Sequence, residues 1–387
     1  MKSRIALIYD RANTAYGGAE QVLLALQALY PDITLFTSVY DPKKAKWTKK
    51  FTNVKTSFLQ KIPFTTKLHR YLAALMPIAF ECLDLSTYDI IISVTSAEAK
   101  GVLTKANQLH LCYLLSPPRY LYHYQDEYLK QNRLLNLPII HFFAKSALNY
   151  LKKWDQVAIY RPDLIIPIAQ IVKQRAQKYY PQIKLEKVIY PPIDASLIEY
   201  QNKQTAIIEG QYLLLVSRLV PYKNIAPAIL ACQKLGQKLV IVGEGPEKNN
   251  LKNLANELII FKKQLSKSSL ANLYQHCQAV LSPGLDDFSI VALEANLFGK
   301  PVIINQLAGA SELITDKIHG LHLTYKTTDS VEMITTNLVK SIQKLNKIHF
   351  DAKILRKNAL KYDTNKFGSD FDNALQKAYQ AKKEGRL

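Results

Sequence analysis

Short, continuous apolar runs alternate along this chain with longer stretches whose apolar positions recur at helical spacing. Runs such as Ile5-Ala-Leu-Ile-Tyr9 and Leu239-Val-Ile-Val242 are bounded by polar or turn residues and are too short for buried helices. They read as strands covered on both faces. One series has strands over Arg4–Asp10, Ile33–Thr37, Ile90–Val94, Leu109–Leu115, Leu164–Ile168 and Lys187–Tyr190, with a first helix over Ala19–Leu29. Pro191-Pro192 interrupts it, and the polar stretch Asp194–Gly210 reads as a link. A second series places strands at Gln211–Arg218, Lys238–Val242, Leu258–Phe261, Ala279–Ser282, Pro301–Asn305 and Leu321–Leu323, with a helix over Asn224–Leu235. Strands alternating with helices in two successive sets predict two α/β domains with parallel sheets. The expected division is 1–197, 198–365 and a helical tail over 366–387 that packs back on the first domain.

Composition fits two cores: 387 residues, 48% of them apolar. Cys82, Cys112, Cys232 and Cys277 are far apart without metal spacing and read as small core residues of a reducing compartment. No leader-like stretch precedes the first strand, and no apolar run is long enough for a spanning helix, so a cytoplasmic protein is expected.

Charge changes the picture. The formal net charge is +20, which favours an anionic partner. From Lys43 to Arg70 there are nine Lys or Arg and no acid, with Trp47, Phe51, Phe58 and Phe64 interleaved and Tyr71 just beyond. Basic heads with aromatic anchors suit an anionic bilayer surface, at about 1 kcal/mol per basic residue near it. The expected membrane-binding residues are Lys43, Lys44, Lys46, Trp47, Lys49, Lys50 and Phe51. A solvated basic face is the plainer reading of the same run. Nucleic acid is not expected as a partner, because no reader motif accompanies the charge.

Candidate chemistry gathers in the second series. The run Leu281-Ser-Pro-Gly-Leu-Asp286-Asp287-Phe288-Ser289-Ile290-Val-Ala-Leu-Glu294 leads into a helix closed by Gly299. Asp286 and Glu294 bracket the start of that helix, a natural anion site. Glu294 lies in an otherwise apolar stripe, which is costly unless something hydrogen-bonds it. In Ser217-Arg218-Leu-Val-Pro-Tyr-Lys223-Asn224, a guanidinium and an ammonium five residues apart follow a strand and can converge on a diphosphate. Val242-Gly243-Glu-Gly-Pro follows the next strand. Gly17-Gly18 opens the first helix, where bare backbone can approach a ligand.

Taken together these motifs resemble the retaining glycosyltransferases of the two-lobed GT-B fold, family 4, and their E-x7-E signature. Asp287, Phe288, Ile290, Glu294, Ala295, Gly299, Pro301 and Val302 fit that pattern, whereas Asp286 stands for its first glutamate and Ser289 for a glycine. The resemblance covers nearly the whole chain and is densest from Leu214 to Leu323. It implies two Rossmann-like domains facing each other across a cleft, and hexose transfer, mannose as the leading guess, from a GDP- or UDP-linked sugar with retention. The acceptor implied is a saccharide, probed first as a lipid-linked one because of the basic face, at the inner face of the cell membrane. Catalytic roles would fall to Arg218 and Lys223, neutralising the departing diphosphate, and to Asp286, touching the sugar. Donor binding would involve Gly17, Gly18, Gly243, Phe288, Ser289, Ile290 and Glu294, the last on the ribose. No Asp-x-Asp metal motif is read in the chain, so no metal and no cofactor beyond the nucleotide-sugar co-substrate are expected.

The departures point to an alternative. Where family members carry Cys-Tyr-x-His-Thr-Pro, this chain reads Cys112-Tyr-Leu-Leu115-Ser116-Pro117, so the histidine position is Leu115; His123 follows eight residues on. Ile168-Ala169 replaces an Asn-Ser pair. With Asp286, these changes motivate a catalytically degenerate scaffold that binds lipid or partner enzymes.

Overall fold

A computed structural model describes residues 3–68, 71–122, 138–201, 205–263, 265–326 and 328–386. The chain divides into two compact units, Met1–Tyr190 with Phe367–Leu387, and Pro191–Lys366. The division falls at the Pro-Pro step, where consecutive residues without N–H groups cannot continue a ladder.

The first unit is a six-stranded parallel sheet: β1 (Ile5–Tyr9), β2 (Thr34–Thr37), β3 (Val54–Thr56), β4 (Ile90–Thr95), β5 (Leu109–Leu114) and β6 (Leu164–Pro167), in the order β3-β2-β1-β4-β5-β6. All six residues of β4 and of β5 are buried, as continuous apolar runs between helices must be. The expected strand Lys187–Tyr190 does not form. Glu186 and Ile189 donate N–H bonds to Ile165 and Pro167 along β6, at 3.0 and 3.3 Å, but Pro191 and Pro192 deny the segment further donors. Among the elements not legible as such are β3 and the helices Gln170–Tyr179 and Pro138–Ala158.

The tail helix Thr364–Lys383 contributes to this unit from Phe367 onward. Phe367, Phe371 and Leu375 recur every four residues and are buried, with both phenylalanine rings edge-on to Tyr113. Tyr30 donates to Asp372 at 2.8 Å, and Lys382 pairs with Asp163 at 2.6 Å. Asp370-Phe-Asp372 is an Asp-x-Asp spacing, but on a helix positions two apart do not share a face, and Asp372 is held by Tyr30.

The second unit repeats the plan with β7 (Leu213–Val216), β8 (Leu239–Val242), β9 (Ile259–Lys262), β10 (Ala279–Ser282), β11 (Val302–Asn305) and β12 (Gly320–Leu323), ordered β12-β11-β10-β7-β8-β9. Its core gathers Leu213, Ile229, Ile241, Leu281, Ile303 and Leu338 from strands and helices. Both sheets run outward in two directions from a central pair, β1 beside β4 and β7 beside β10. At such a switch point neighbouring loops leave the carboxyl edge in opposite directions and open a crevice, the usual ligand position of open α/β sheets.

Three of the cysteines, Cys112, Cys232 and Cys277, are buried as expected; Cys82 is exposed. Among the described residues no helix is long and apolar enough to cross a membrane.

Candidate active site

Both expected catalytic loops of the second unit leave its switch point. The turn Pro221–Lys223 follows β7, and the loop from Pro283 to Ile290 follows β10. They are tied together at several points. Leu285 donates its N–H to the Tyr222 carbonyl at 3.1 Å. Asn224, in the left-handed conformation (φ 50°, ψ 46°), donates to the Tyr325 hydroxyl at 2.5 Å, and that hydroxyl donates to the Pro283 carbonyl at 2.6 Å. Gly284 makes the approach possible: a Cβ there would lie 2.9 Å from the Lys223 Cα. The result is an ion pair between Lys223 Nζ and Asp286 Oδ1 at 2.5 Å, with the lysine side chain 19% exposed and the aspartate 9%. Two residues sixty-three positions apart are thus held as one unit, with the lysine side chain only partly exposed.

Gly243 sits where β8 ends. Its φ of +152° and the Ser217 carbonyl, 1.8 Å from where a Cβ would be, exclude any side chain. That contact holds the loop after β7, which carries Arg218. The Arg218 side chain is exposed and forms no ion pair among the described residues. The structure therefore brings Lys223 and Asp286 into contact and leaves Arg218 on the same edge with its guanidinium in solvent.

Ser289 has φ +72°, which explains why a glycine suits this position in the resembled pattern. Its hydroxyl shares a hydrogen bond with Ser282 at 2.6 Å. Phe288 is buried, and its carbonyl accepts from the Ala310 N–H. Ile290 caps the helix Val291–Leu297, which is only seven residues long, so its dipole is short and positive charge at this edge comes mainly from the two cations.

Glu294 is buried on that helix and accepts a hydrogen bond from the Tyr274 hydroxyl at 2.7 Å. Burial pushes its carboxyl above the usual range, and the Tyr274 bond opposes that shift. Tyr274 is itself fully buried and stacks on Phe298 at 5.4 Å. This is the partner that the apolar stripe required. Tyr274 lies twenty residues upstream on another helix, so nothing in the local spacing signals it.

Gly17 and Gly18 lie at the switch point of the first unit. Gly17 is extended (φ −156°) and caps the helix Gly18–Leu29. A Cβ on Gly17 would lie 3.1 Å from a Glu20 carboxylate oxygen. Glu20 also accepts from the hydroxyls of Tyr9 at 2.8 Å and Thr14 at 3.2 Å. Glu20 thus lies in the first turn of this helix, a favourable place for a carboxylate.

Further charges at this edge were not anticipated. Asp10 accepts from the Thr95 hydroxyl and from the Ser96 and Ala99 N–H groups, at 2.7, 2.8 and 2.9 Å. Lys100 is completely buried and pairs with Asp155 at 2.5 Å, and Asp155 also accepts from Tyr122 and Tyr180. Glu98, 3% exposed, accepts from Tyr120, while its Oε2 stands 3.9 Å from the Arg11 guanidinium. Burial raises the Glu98 carboxyl, with Arg11 opposing. Leu115 sits at the end of β5, its N–H bonded to the Thr95 carbonyl at 2.8 Å. His123 lies outside the described residues.

Of the expected membrane-binding residues, five lysines (Lys43, Lys44, Lys46, Lys49 and Lys50) are exposed, with Lys44 near Asp41 at 3.8 Å. Trp47 and Phe51 are corrected to core residues. They are 7% and 6% exposed, pack edge-on to each other, and Trp47 is edge-on to Tyr9 and donates to the Thr14 carbonyl at 3.2 Å. Their apolar rings are already covered and cannot anchor anything outside.

With this geometry in view, likeness to known proteins bears on the same region. Residues 198–350 match the family model described as glycosyl transferases group 1. An uncharacterised glycosyltransferase of Methanocaldococcus jannaschii is 27% identical over 210 residues, 49% of this chain and 52% of that protein. The alpha-monoglucosyldiacylglycerol synthase of Streptococcus pneumoniae is 25% identical over 225 residues, 49% of this chain and 51% of that one. The chain thus spans about half the length of these curated relatives. Among solved structures, Anabaena HepE in complex with UDP superposes with a TM-score of 0.65 at 18% identity, covering 97% of this chain and 100% of that one. At that identity the likeness shows the fold, which is that of the GT-B glycosyltransferases: two α/β units, each on a parallel sheet.

Proposed function

We propose that the protein is a retaining hexosyltransferase that takes its sugar from a nucleoside-diphosphate donor. The observation that carries this reading is the edge of the second unit: Lys223 fixed beside Asp286, Arg218 open to solvent, and Glu294 held by Tyr274, all within the segment matched to glycosyl transferases group 1. Two cations at a switch point suit a diphosphate, whose charge grows as the glycosidic C–O bond breaks. Lys223 and Arg218 would neutralise that charge without a metal, Asp286 would meet the sugar hydroxyls, and Glu294 the ribose. The acceptor hydroxyl would add from the face the leaving group departs, passing its proton to the departing phosphate.

The acceptor we favour is lipid-linked, at the cytoplasmic face of the membrane; the relative in S. pneumoniae is named for a glycolipid product. HepE holding UDP supports testing UDP-sugars beside GDP-mannose. The test is a thermal-stability screen with UDP- and GDP-sugars, followed by turnover of the best donor. Arg218→Ala should lower turnover by about 100-fold or more with melting unchanged. Unchanged turnover would remove Arg218 from the mechanism, and no stabilisation by any nucleotide sugar would favour the scaffold alternative. That alternative draws on Leu115 and on an Asp286 whose carboxylate is already occupied by Lys223.

A further inference from the structure

Removing Trp47 and Phe51 from the surface leaves a different set of apolar side chains exposed on the first unit. Phe64 is 73% exposed and has φ +59°, a left-handed conformation that a bulky residue rarely adopts. Leu68 and Leu75 follow at 45% and 38%. On the helix Pro138–Ala158, Phe142, Phe143 and Val157 are 69%, 66% and 65% exposed. The two sets meet at Leu75, because this helix turns Leu148 and Leu151, with Ala144, inward onto a cluster that includes Ala73, and packs on the turn Ala73–Leu75; Phe64 and Leu68 precede that turn on the same acid-free stretch. Its outward face carries Phe143 and Val157 fourteen residues apart, four helical turns along one stripe.

Among the described residues the charge along this apolar surface is mainly positive. No Asp or Glu occurs from residue 42 to residue 80. The helix Pro138–Ala158 contains one acid, Asp155, which is buried and neutralised by Lys100. Lys61, Lys145 and Lys153 are exposed among the apolar residues. A nucleic-acid surface would use rings for stacking, but Leu68, Leu75 and Val157 have no π-face to offer. Aliphatic and aromatic side chains flanked by exposed lysines, with Glu81 beside Trp154 of the helix paired to Arg161, fit the headgroup and upper acyl region of an anionic bilayer.

We propose that this surface, the segment carrying Phe64, Leu68 and Leu75 together with the outer face of the helix Pro138–Ala158, docks the protein on anionic phospholipid. It deepens the lipid-linked-acceptor reading and draws its biological sense from it, although the docking itself requires no turnover. The lysines bring the protein to the surface, and the phenylalanines enter it. The lysines of Lys43–Lys50 add charge without apolar insertion.

The full chain is tested by co-sedimentation with phosphatidylcholine vesicles with and without phosphatidylglycerol. Binding is expected only to the anionic vesicles and should weaken with salt. The triple variant Phe64→Ser, Phe142→Ser, Phe143→Ser should bind about ten-fold or more weakly. Its melting and donor hydrolysis should match the parent, since all three side chains lie in solvent. Replacing the five lysines from Lys43 to Lys50 by Ser should weaken binding less than the triple change. Equal binding by the triple variant, a larger loss from the lysine variant, indifference to phosphatidylglycerol, or preference for homopolymeric RNA over vesicles would each overturn the docking surface. Absent donor hydrolysis with intact vesicle binding would sink the transferase reading and leave this one standing.

Discussion

The two sheets share a strand order, yet their switch points handle charge in opposite ways. In the second unit, beside β7 and β10, Arg218 is exposed and Lys223 is partly exposed, paired with Asp286 and lying over the Tyr222 ring. In the first unit, beside β1 and β4, Asp10 has three donors and Lys100 is sealed with Asp155 under two tyrosines. A buried, fully bonded charge has nothing left with which to meet a ligand, and it holds loops in place. A half-open cation has already lost part of its hydration and still has hydrogens to give. Identical topology therefore does not imply identical use. On the proposed function, the degree to which each charge is satisfied would separate an edge suited to a ligand from one that holds the fold.

The largest effect that could break this contrast lies in the sealed pair. Lys100→Ala would leave Asp155 as an uncompensated buried charge and should destabilise the first unit by about 3–5 kcal/mol. Chemical denaturation measures this. The double change Lys100→Met, Asp155→Asn should recover much of the loss, because no naked charge remains. If Lys100→Ala unfolds normally but abolishes donor turnover, the pair is functional and the distinction between the two edges fails.

A smaller effect sharpens the other side. Tyr274→Phe removes the donor to Glu294 while keeping the ring stacked on Phe298. The loss of one hydrogen bond to a carboxylate, about 1.5–3 kcal/mol, should appear mainly as a raised donor KM, with kcat changed less. The Glu294 carboxyl, already raised by burial, should rise further once its one lowering hydrogen bond is gone. The acid limb of the activity profile should therefore move to higher pH. An unchanged KM and an unchanged acid limb together would show that Tyr274 packs without positioning Glu294.

How much of this was legible in the sequence follows from the range of each interaction. Strands such as β1, β8, β10 and β11 were readable within two residues, because a buried parallel strand must be apolar throughout and its neighbours cannot be. The loops bearing Arg218, Lys223, Asp286 and Glu294 were readable as motifs, since each is a contiguous run placed at a strand end. Their pairing was not, because Lys223 and Asp286 meet only through the register of β7 beside β10 and the approach allowed by Gly284. Lys100 and Asp155 are likewise distant in sequence, and neither is marked by its neighbours. Trp47 misled for the opposite reason. Its lysine neighbours look like a solvent-facing run, but the turn Lys46–Lys50 rotates Trp47 and Thr48 inward while Lys46, Lys49 and Lys50 stay outside. Composition counts charges and rings; only the turn geometry decides which of them face water.

The smallest expected effect concerns a sealed histidine in the first unit. His110 is fully buried on β5, with Nε2 2.9 Å from the Ser93 hydroxyl. Burial pushes its imidazole down to about 4, with Asp163 opposing and Arg161 and Lys382 reinforcing the shift. Its folded value is below its unfolded value, so the unfolded chain binds the extra proton between them. Stability from this group is then fully present above about 6.5 and is lost as pH falls toward about 4. Denaturation midpoints measured across that window should decline with acidity, and His110→Asn should flatten the decline while lowering stability at neutral pH only modestly. The exposed edge of the second unit provides the control: Lys223→Met should leave the same slope unchanged, because its ion pair with Asp286 is not coupled to this histidine. Equal slopes in the parent and in His110→Asn would mean that the first unit is not sealed at β5, and the division between a sealed edge and an open one would lose its basis there.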